Sequence, residues 1–312
     1  MLAWELVGAV VGAGLASGRE IAAFFTQYGR WGIVGILLSV GVLMLLSDVS
    51  LPAAWKYRWP AALWRILMGM LLVVTGGAML SGAGEVVSLT LPLPGAYWLG
   101  MAFTLVLAWL LAKRTVSGLA WVSRGLLAVL AVLILLGFTL APMQAVPLQV
   151  MQPAQAVWRG VTYGGFNAAL QAPIIAGAAG IPRMQRKGHV IAACGIMLCL
   201  LLLGNAVLLR HPALMGEPMP FLRMMGSYGR FGFWLGAISL YLAILSTLTA
   251  CFRGLPGTVL PVLGISIVSA LGFTGVVERV YPVLGGSCFL LLLAAKCVNC
   301  AATPFHQRQD ML

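Results

Sequence analysis

Long apolar runs broken by short polar clusters make up almost the whole of this chain. A helix rising 1.5 Å per residue needs about 20 apolar residues to cross the hydrocarbon of a bilayer. That ruler predicts ten spans, at roughly 5–28, 31–50, 62–90, 96–112 and 115–140, then 155–179, 188–209, 229–252, 256–274 and 279–300. A loop rich in Pro and Gln at 141–154 separates two sets of five, so the expected organisation is a single membrane domain of two repeats, 1–140 and 141–312. An odd number of spans per half makes the second half enter the membrane in the opposite sense, the inverted repeat of alternating-access carriers.

Composition agrees with the pattern. The 312 residues are 61% hydrophobic and 8% charged, against roughly 25% charged in soluble domains, and mean hydropathy is +1.01. The lipid bilayer is therefore the first expected partner. A net charge of +12 suggests nucleic acid in a soluble domain, but here Lys and Arg sit in short clusters between spans, where they set topology. No nucleic-acid partner is expected. With the N-terminus inside, Lys56, Arg58, Arg65, Lys113, Arg114, Arg183, Arg186, Lys187, Arg253, Lys296 and Arg308 fall on the cytoplasmic side. Arg30, Arg159, Arg210, Arg223, Arg230 and Arg279 fall outside. The expectation is a multi-pass protein of the cell membrane with both termini cytoplasmic. The N-terminus carries Glu5 and no basic start, so it reads as the first span rather than a signal peptide.

Two glycine clusters interrupt the apolar pattern: Gly12-Ala13-Gly14-Leu15-Ala16-Ser17-Gly18 in the first span and Tyr163-Gly164-Gly165-Phe166-Asn167 in the sixth. An unpaired amide in hydrocarbon costs several kcal/mol, so a helix opens only where it lines a cavity or a neighbour supplies partners. Breaks in the first helix of each half predict a central binding site lined by Gly12, Ala13, Gly14, Ser17, Tyr163, Gly164, Gly165, Phe166 and Asn167. Half-helix N-termini favour an anionic group and C-terminal ends a cation, which suits a small zwitterion such as an amino acid. The competing reading of each cluster is a close-packing seam of small residues.

Gly-Ala-Gly-Leu-Ala-Ser-Gly-Arg-Glu-Ile, followed by Phe24-Phe25 and Tyr28-Gly29, resembles the opening signature of the YkvI-like membrane proteins. That resemblance implies kinship with the amino acid, polyamine and organocation transporters and a LeuT-like fold: all-α, ten transmembrane helices in a 5+5 inverted repeat, helices 1 and 6 broken. It also implies a sodium site. Ala243-Ile244-Leu245-Ser246-Thr247 is similar to the sodium-binding element of the eighth helix in LeuT-like symporters, and Gly8 and Val11 stand where that family's first helix offers carbonyls. Hard oxygen ligands suit such an ion. The alternative is that Ser246 and Thr247 bond back to their own helix. Sodium is the one ion expected; no other cofactor is.

Arg124 lies about nine residues into the fifth span, roughly 13 Å deep. In some proton-coupled relatives of the fold a basic group there stands in for the ion, and an arginine would be a fixed cation. The alternative is snorkelling to the surface. Of seven acidic residues, Glu20, Glu85 and Glu278 lie in or near spans. Glu85, after Ser81-Gly82-Ala83-Gly84, is the first candidate for coupling or gating, and Arg19 is placed near a LeuT-like outer-gate arginine, pairing with Glu85 or Glu20.

Cys297 and Cys300 have CxxC spacing but end an apolar helix with no second pair. No phosphate loop, Ser-His-Asp arrangement or metal-spaced His cluster is present. An enzyme is not expected. The functional expectation is a secondary transporter of a small zwitterionic or cationic solute, an amino acid or related amine; the rival is a non-transporting membrane sensor or structural protein. The sequence does not speak to oligomeric state.

Overall fold

The computed structural model describes residues 2–10, 13–47, 58–113, 152–257 and 259–306, together with Gly125 and Val132. Every regular element among them is helical. Within the first predicted span the described residues form α1 (Leu2–Val10), α2 (Ala13–Ser17) and α3 (Arg19–Phe24), with a turn at Gly18 between the last two, ending in a 3-10 turn at Thr26–Tyr28. Then come α4 (Arg30–Leu46), α5 (Arg58–Thr90) and α6 (Ala96–Ala112). The second half contains α7 (Pro153–Gly177), α8 (Arg183–Arg210), a 3-10 turn at Pro212–Gly216, α9 (Pro220–Gly226), α10 (Gly229–Gly254) and α11 (Val259–Ser269). The last span starts as α12 (Phe273–Gly275), passes through a π-helical turn at Val276–Val280 and continues as α13 (Tyr281–His306).

Four stretches are long and apolar enough to cross a bilayer by themselves, Ala61–Thr90, Arg183–Arg210, Gly229–Gly254 and Phe273–Val298. Shorter apolar helices at Arg30–Leu46, Ala96–Ala112 and Val259–Ser269 lie among them. Large apolar side chains such as Leu37, Ile66, Phe103, Leu260, Ile267, Val283 and Leu290 are exposed on the outside of the bundle. An apolar coat of that kind is stable facing lipid and not water. This is a membrane protein. Apart from Gly125 and Val132, the fifth predicted span, Arg124 included, lies outside the described residues, as does the boundary between the two expected repeats.

Helix α7 is the axle of the bundle, packed along both α4 and α13, while α5 gathers α6, α10 and α11 around it. The contacts sort helix ends into groups that agree with the predicted alternation of sides. Arg19, Arg159, Met215, Glu217 and Glu278 meet at one end. Leu45 meets Lys296, and Leu111 meets Arg253.

The sixth predicted span departs from expectation. α7 is a continuous α-helix through Tyr163–Asn167, so helix 6 is not broken there. Its glycines are seams. A Cβ on Gly164 would come within 2.6 Å of the Ser39 carbonyl of α4, and one on Gly165 within 2.6 Å of the Gly285 carbonyl of α13. Gly160 lies against the backbone of Gly35 in the same way. Absent side chains let three backbones approach closely, which is how helices associate where lipid offers no hydrophobic drive. The interior weakness of α7 lies further on, at Pro173. Proline has no N–H to give the Ala169 carbonyl four residues earlier.

Replacing Gly164 by Val forces a branched side chain onto the α4 backbone and should destabilise the protein by about 1–3 kcal/mol. Gly195→Ala, where a Cβ meets open space, should be neutral or slightly stabilising. Thermal melts of both variants in the same detergent check the contrast; equal melting would refute the seam.

Candidate functional site

The interruption of the first span is made at Gly18. Its φ of 83° and ψ of −8° put it in the left-handed region, which costs any residue with a Cβ roughly 1–2 kcal/mol. A side chain there would also strike the ring of Phe221, which is fully buried. The turn is held by Ser17, whose hydroxyl donates to the Gly14 carbonyl at 2.8 Å while its oxygen accepts from the Arg19 amide at 3.2 Å. Gly18 turns the chain so that Arg19 and Glu20, adjacent in sequence, serve two different sites. Both are only 6% exposed.

Glu20 folds back toward Gly14, and a Cβ on Gly14 would occupy the space of its carboxylate. The side-chain-free position is therefore what gives the acid room. From the facing helix the Tyr163 hydroxyl donates to Glu20 Oε2 at 3.0 Å. Phe24 and Phe25 close around the Tyr163 ring at centroid distances of 5.0 and 5.1 Å. Among the described residues no cation lies within ion-pair distance of this carboxylate. A second contact joins the same elements, as Gln171 of α7 donates through Nε2 to the Leu6 carbonyl of α1 at 3.1 Å. Among the described residues Gln171 Oε1 is buried without a partner. Glu20 and Gln171 thus place a carboxylate and an amide oxygen, both acceptors, against the first span.

Arg19 closes one end of this region. Its Nη1 donates to the Met215 carbonyl at 2.5 Å and the Glu217 carbonyl at 3.2 Å, and its Nη2 pairs with Glu278. Glu278 sits on the π-helical turn, its side chain 39% exposed at the mouth. Arg159 of α7 holds that turn by donating to the Glu278 carbonyl at 2.9 Å, with its guanidinium 5.6 Å from the Phe24 ring centroid. One side chain joins three segments distant in sequence.

Several predicted residues take other places. The partner of Arg19 is Glu278, not Glu85 or Glu20; Glu85 stands half-buried on α5. Phe166 stacks on Tyr281 at 4.4 Å, and the Asn167 amide donates to the Tyr163 carbonyl of its own helix, so neither lines an opened helix. Gly164 and Gly165 are filled by neighbouring helices, as described above. Ser246 Oγ and Thr247 Oγ1 both donate to the Ala243 carbonyl at 2.9 Å, the back-bonded arrangement. Gly8 lies on the exposed side of α1. Val11, Gly12 and the Ala13 side chain lie outside the described residues. Gln171 and Arg159 escaped sequence reading, although a polar Gln two residues before Pro173 in an apolar helix was a usable signal.

No family model matches the chain. Over 226 residues it is 30% identical to the uncharacterised membrane protein YkvI of Bacillus subtilis, a match covering 64% of this chain and 63% of that protein. The aligned part is thus less than two thirds of the relative, and it supports the resemblance read from Gly12–Gly18. Among solved structures, a crystal structure of a mutant manganese transporter from Eremococcus coleocola superposes with a TM-score of 0.51. The likeness covers 94% of this chain and 76% of the other at 17% identity. This chain shares a transporter's fold. At that identity the likeness carries architecture, and the chemistry rests on the side chains described here.

Tyr163→Phe removes the hydroxyl facing the buried carboxylate and should cost about 1–3 kcal/mol in a detergent melt. Phe24→Leu, which keeps the polar contact, should cost less than Tyr163→Phe. The reverse order would show that ring packing, not the Glu20 hydrogen bond, holds the site.

Proposed function

We propose that the protein is a secondary carrier of a small cationic or zwitterionic solute, an amino acid or related amine, working by alternating access. The observation that carries this reading is the Glu20 carboxylate, buried beside an interrupted helix with a hydroxyl donor and, among the described residues, no cation. Burying a charge costs several kcal/mol unless it is paired, so an ammonium group entering the gap completes the site. Gln171 Oε1 adds an acceptor of the same sense.

The pairing of two broken helices no longer supports a carrier, because α7 is intact. What supports it is one interrupted helix, the acid within it, and the shared fold. The manganese of the structural neighbour is a second cargo to weigh. Among the described residues no group of three His, Cys, Asp or Glu side chains is gathered, which favours an amine over a transition metal.

In this reading Arg19, Glu278 and the Met215–Glu217 carbonyls are the outer gate, closed as it stands. Sodium coupling through Gly8, Val11, Ala243, Ser246 and Thr247 belongs to the proposal, since a hydroxyl that donates to Ala243 still offers its lone pairs. Arg124 as a fixed cation is the alternative form of coupling. Kinship with the amino acid, polyamine and organocation transporters is part of the same proposal. A membrane sensor using this pocket is the second reading.

Purified protein in liposomes, screened with labelled amino acids and amines, should accumulate at least one of them. Glu20→Gln should abolish uptake, while Glu85→Gln should leave most of it. With a sodium gradient imposed, Ser246→Ala with Thr247→Ala should remove any sodium stimulation, and Arg124→Ala should not create it. Binding without flux would favour the sensor, and uptake unaffected by Glu20→Gln would refute the site.

A further inference from the structure

At the end of the bundle opposite Arg19, the last turns of α4, the first turns of α8 and the far part of α13 enclose a groove of about 450 Å³. Its walls are apolar, with Met44 and Leu45 on α4 facing Val190 and Ile191 on α8. Arg186, Lys187 and Lys296 line the same groove. It is open sideways, since Met44 is 45%, Leu45 47% and Ile191 55% exposed. A Cβ on Gly41, one turn deeper along α4, would meet nothing within 4 Å, so the opening continues toward the middle of the helices. Lys296 is already turned inward, donating through Nζ to the Leu45 carbonyl.

We propose that this groove binds an anionic diacyl phospholipid of the phosphatidylglycerol kind. The layout is amphipathic along the helix axes. The cations lie near the end of α4 at Leu46 and the start of α8 at Arg183, which is headgroup depth for helices that span a bilayer. The apolar wall and the space at Gly41 lie deeper, where an acyl chain runs. Among the described residues no Asp or Glu lines the groove. Three positive charges face one pocket, and basic pockets between membrane helices fit anionic headgroups. A free phosphate would use the charges but not the apolar wall, which is why the lipid is the occupant chosen. The site is separate from the Glu20 region and does not depend on what is carried there.

Native mass spectrometry of the full-length protein, exchanged into an equal mixture of phosphatidylglycerol and phosphatidylcholine, reads the preference directly. Phosphatidylglycerol adducts should dominate. Each of Arg186→Gln, Lys187→Gln and Lys296→Gln should reduce the preference by roughly fivefold, the effect of about 1 kcal/mol per basic residue near a headgroup. Ile191→Trp, which narrows the apolar wall and keeps every charge, should also weaken adduct retention, and Arg186→Lys should preserve it. Thermal stability in detergent should rise with phosphatidylglycerol and not with inorganic phosphate. Equal adducts of both lipids, or a preference unmoved by the three Gln variants, would overturn the proposal. Equal stabilisation by inorganic phosphate would do so too, showing an anion site without a lipid.

Discussion

A carboxylate among apolar helices carries a desolvation cost of several kcal/mol, and the local structure of the first span is arranged around the one on Glu20. Gly14 has to lack a side chain because the carboxylate takes that volume. Gly18 has to turn left-handed because Glu20 must point back while Arg19 points away. Tyr163 has to stand on an unbroken helix because its hydroxyl is the donor that reaches the acid.

The same arrangement separates charges of opposite sign that the chain places side by side. Arg19 is neutralised by Glu278 at the mouth and occupied by main-chain carbonyls of the 212–217 turn. Among the described residues Glu20 is left with the Tyr163 hydroxyl in the interior. The groove at the opposite end uses charge in another way, with three basic groups displayed above an apolar wall.

Much of this was legible in the sequence. Among the described helices, α6 and α10 begin at the predicted residues and end within two of the predicted ends, as hydropathy places them. The interruption in the first helix follows from Gly12–Gly18, where Ser17 supplies the local hydrogen bonds. The Tyr163–Asn167 cluster was misleading because glycine serves two purposes, opening a helix and letting another backbone approach. Which purpose applies is decided by Ser39 and Gly285 on other helices, and no local pattern encodes them. The Arg19 partner was hidden for a similar reason, since Glu278 lies 259 positions away and reaches the mouth only through the π-helical turn.

The central claim is that the gap at Ser17, wholly buried as it stands, opens alternately to the two sides of the membrane. The direct measurement uses Ser17→Cys in a background whose six native cysteines are replaced, sealed in right-side-out and inverted vesicles and treated with a membrane-impermeant maleimide. The account predicts labelling from both sides, with labelling at the Arg19 mouth accelerated when Glu278→Gln loosens the closure. A cysteine that stays unlabelled from both sides, or reacts from one side only regardless of Glu278, would contradict it.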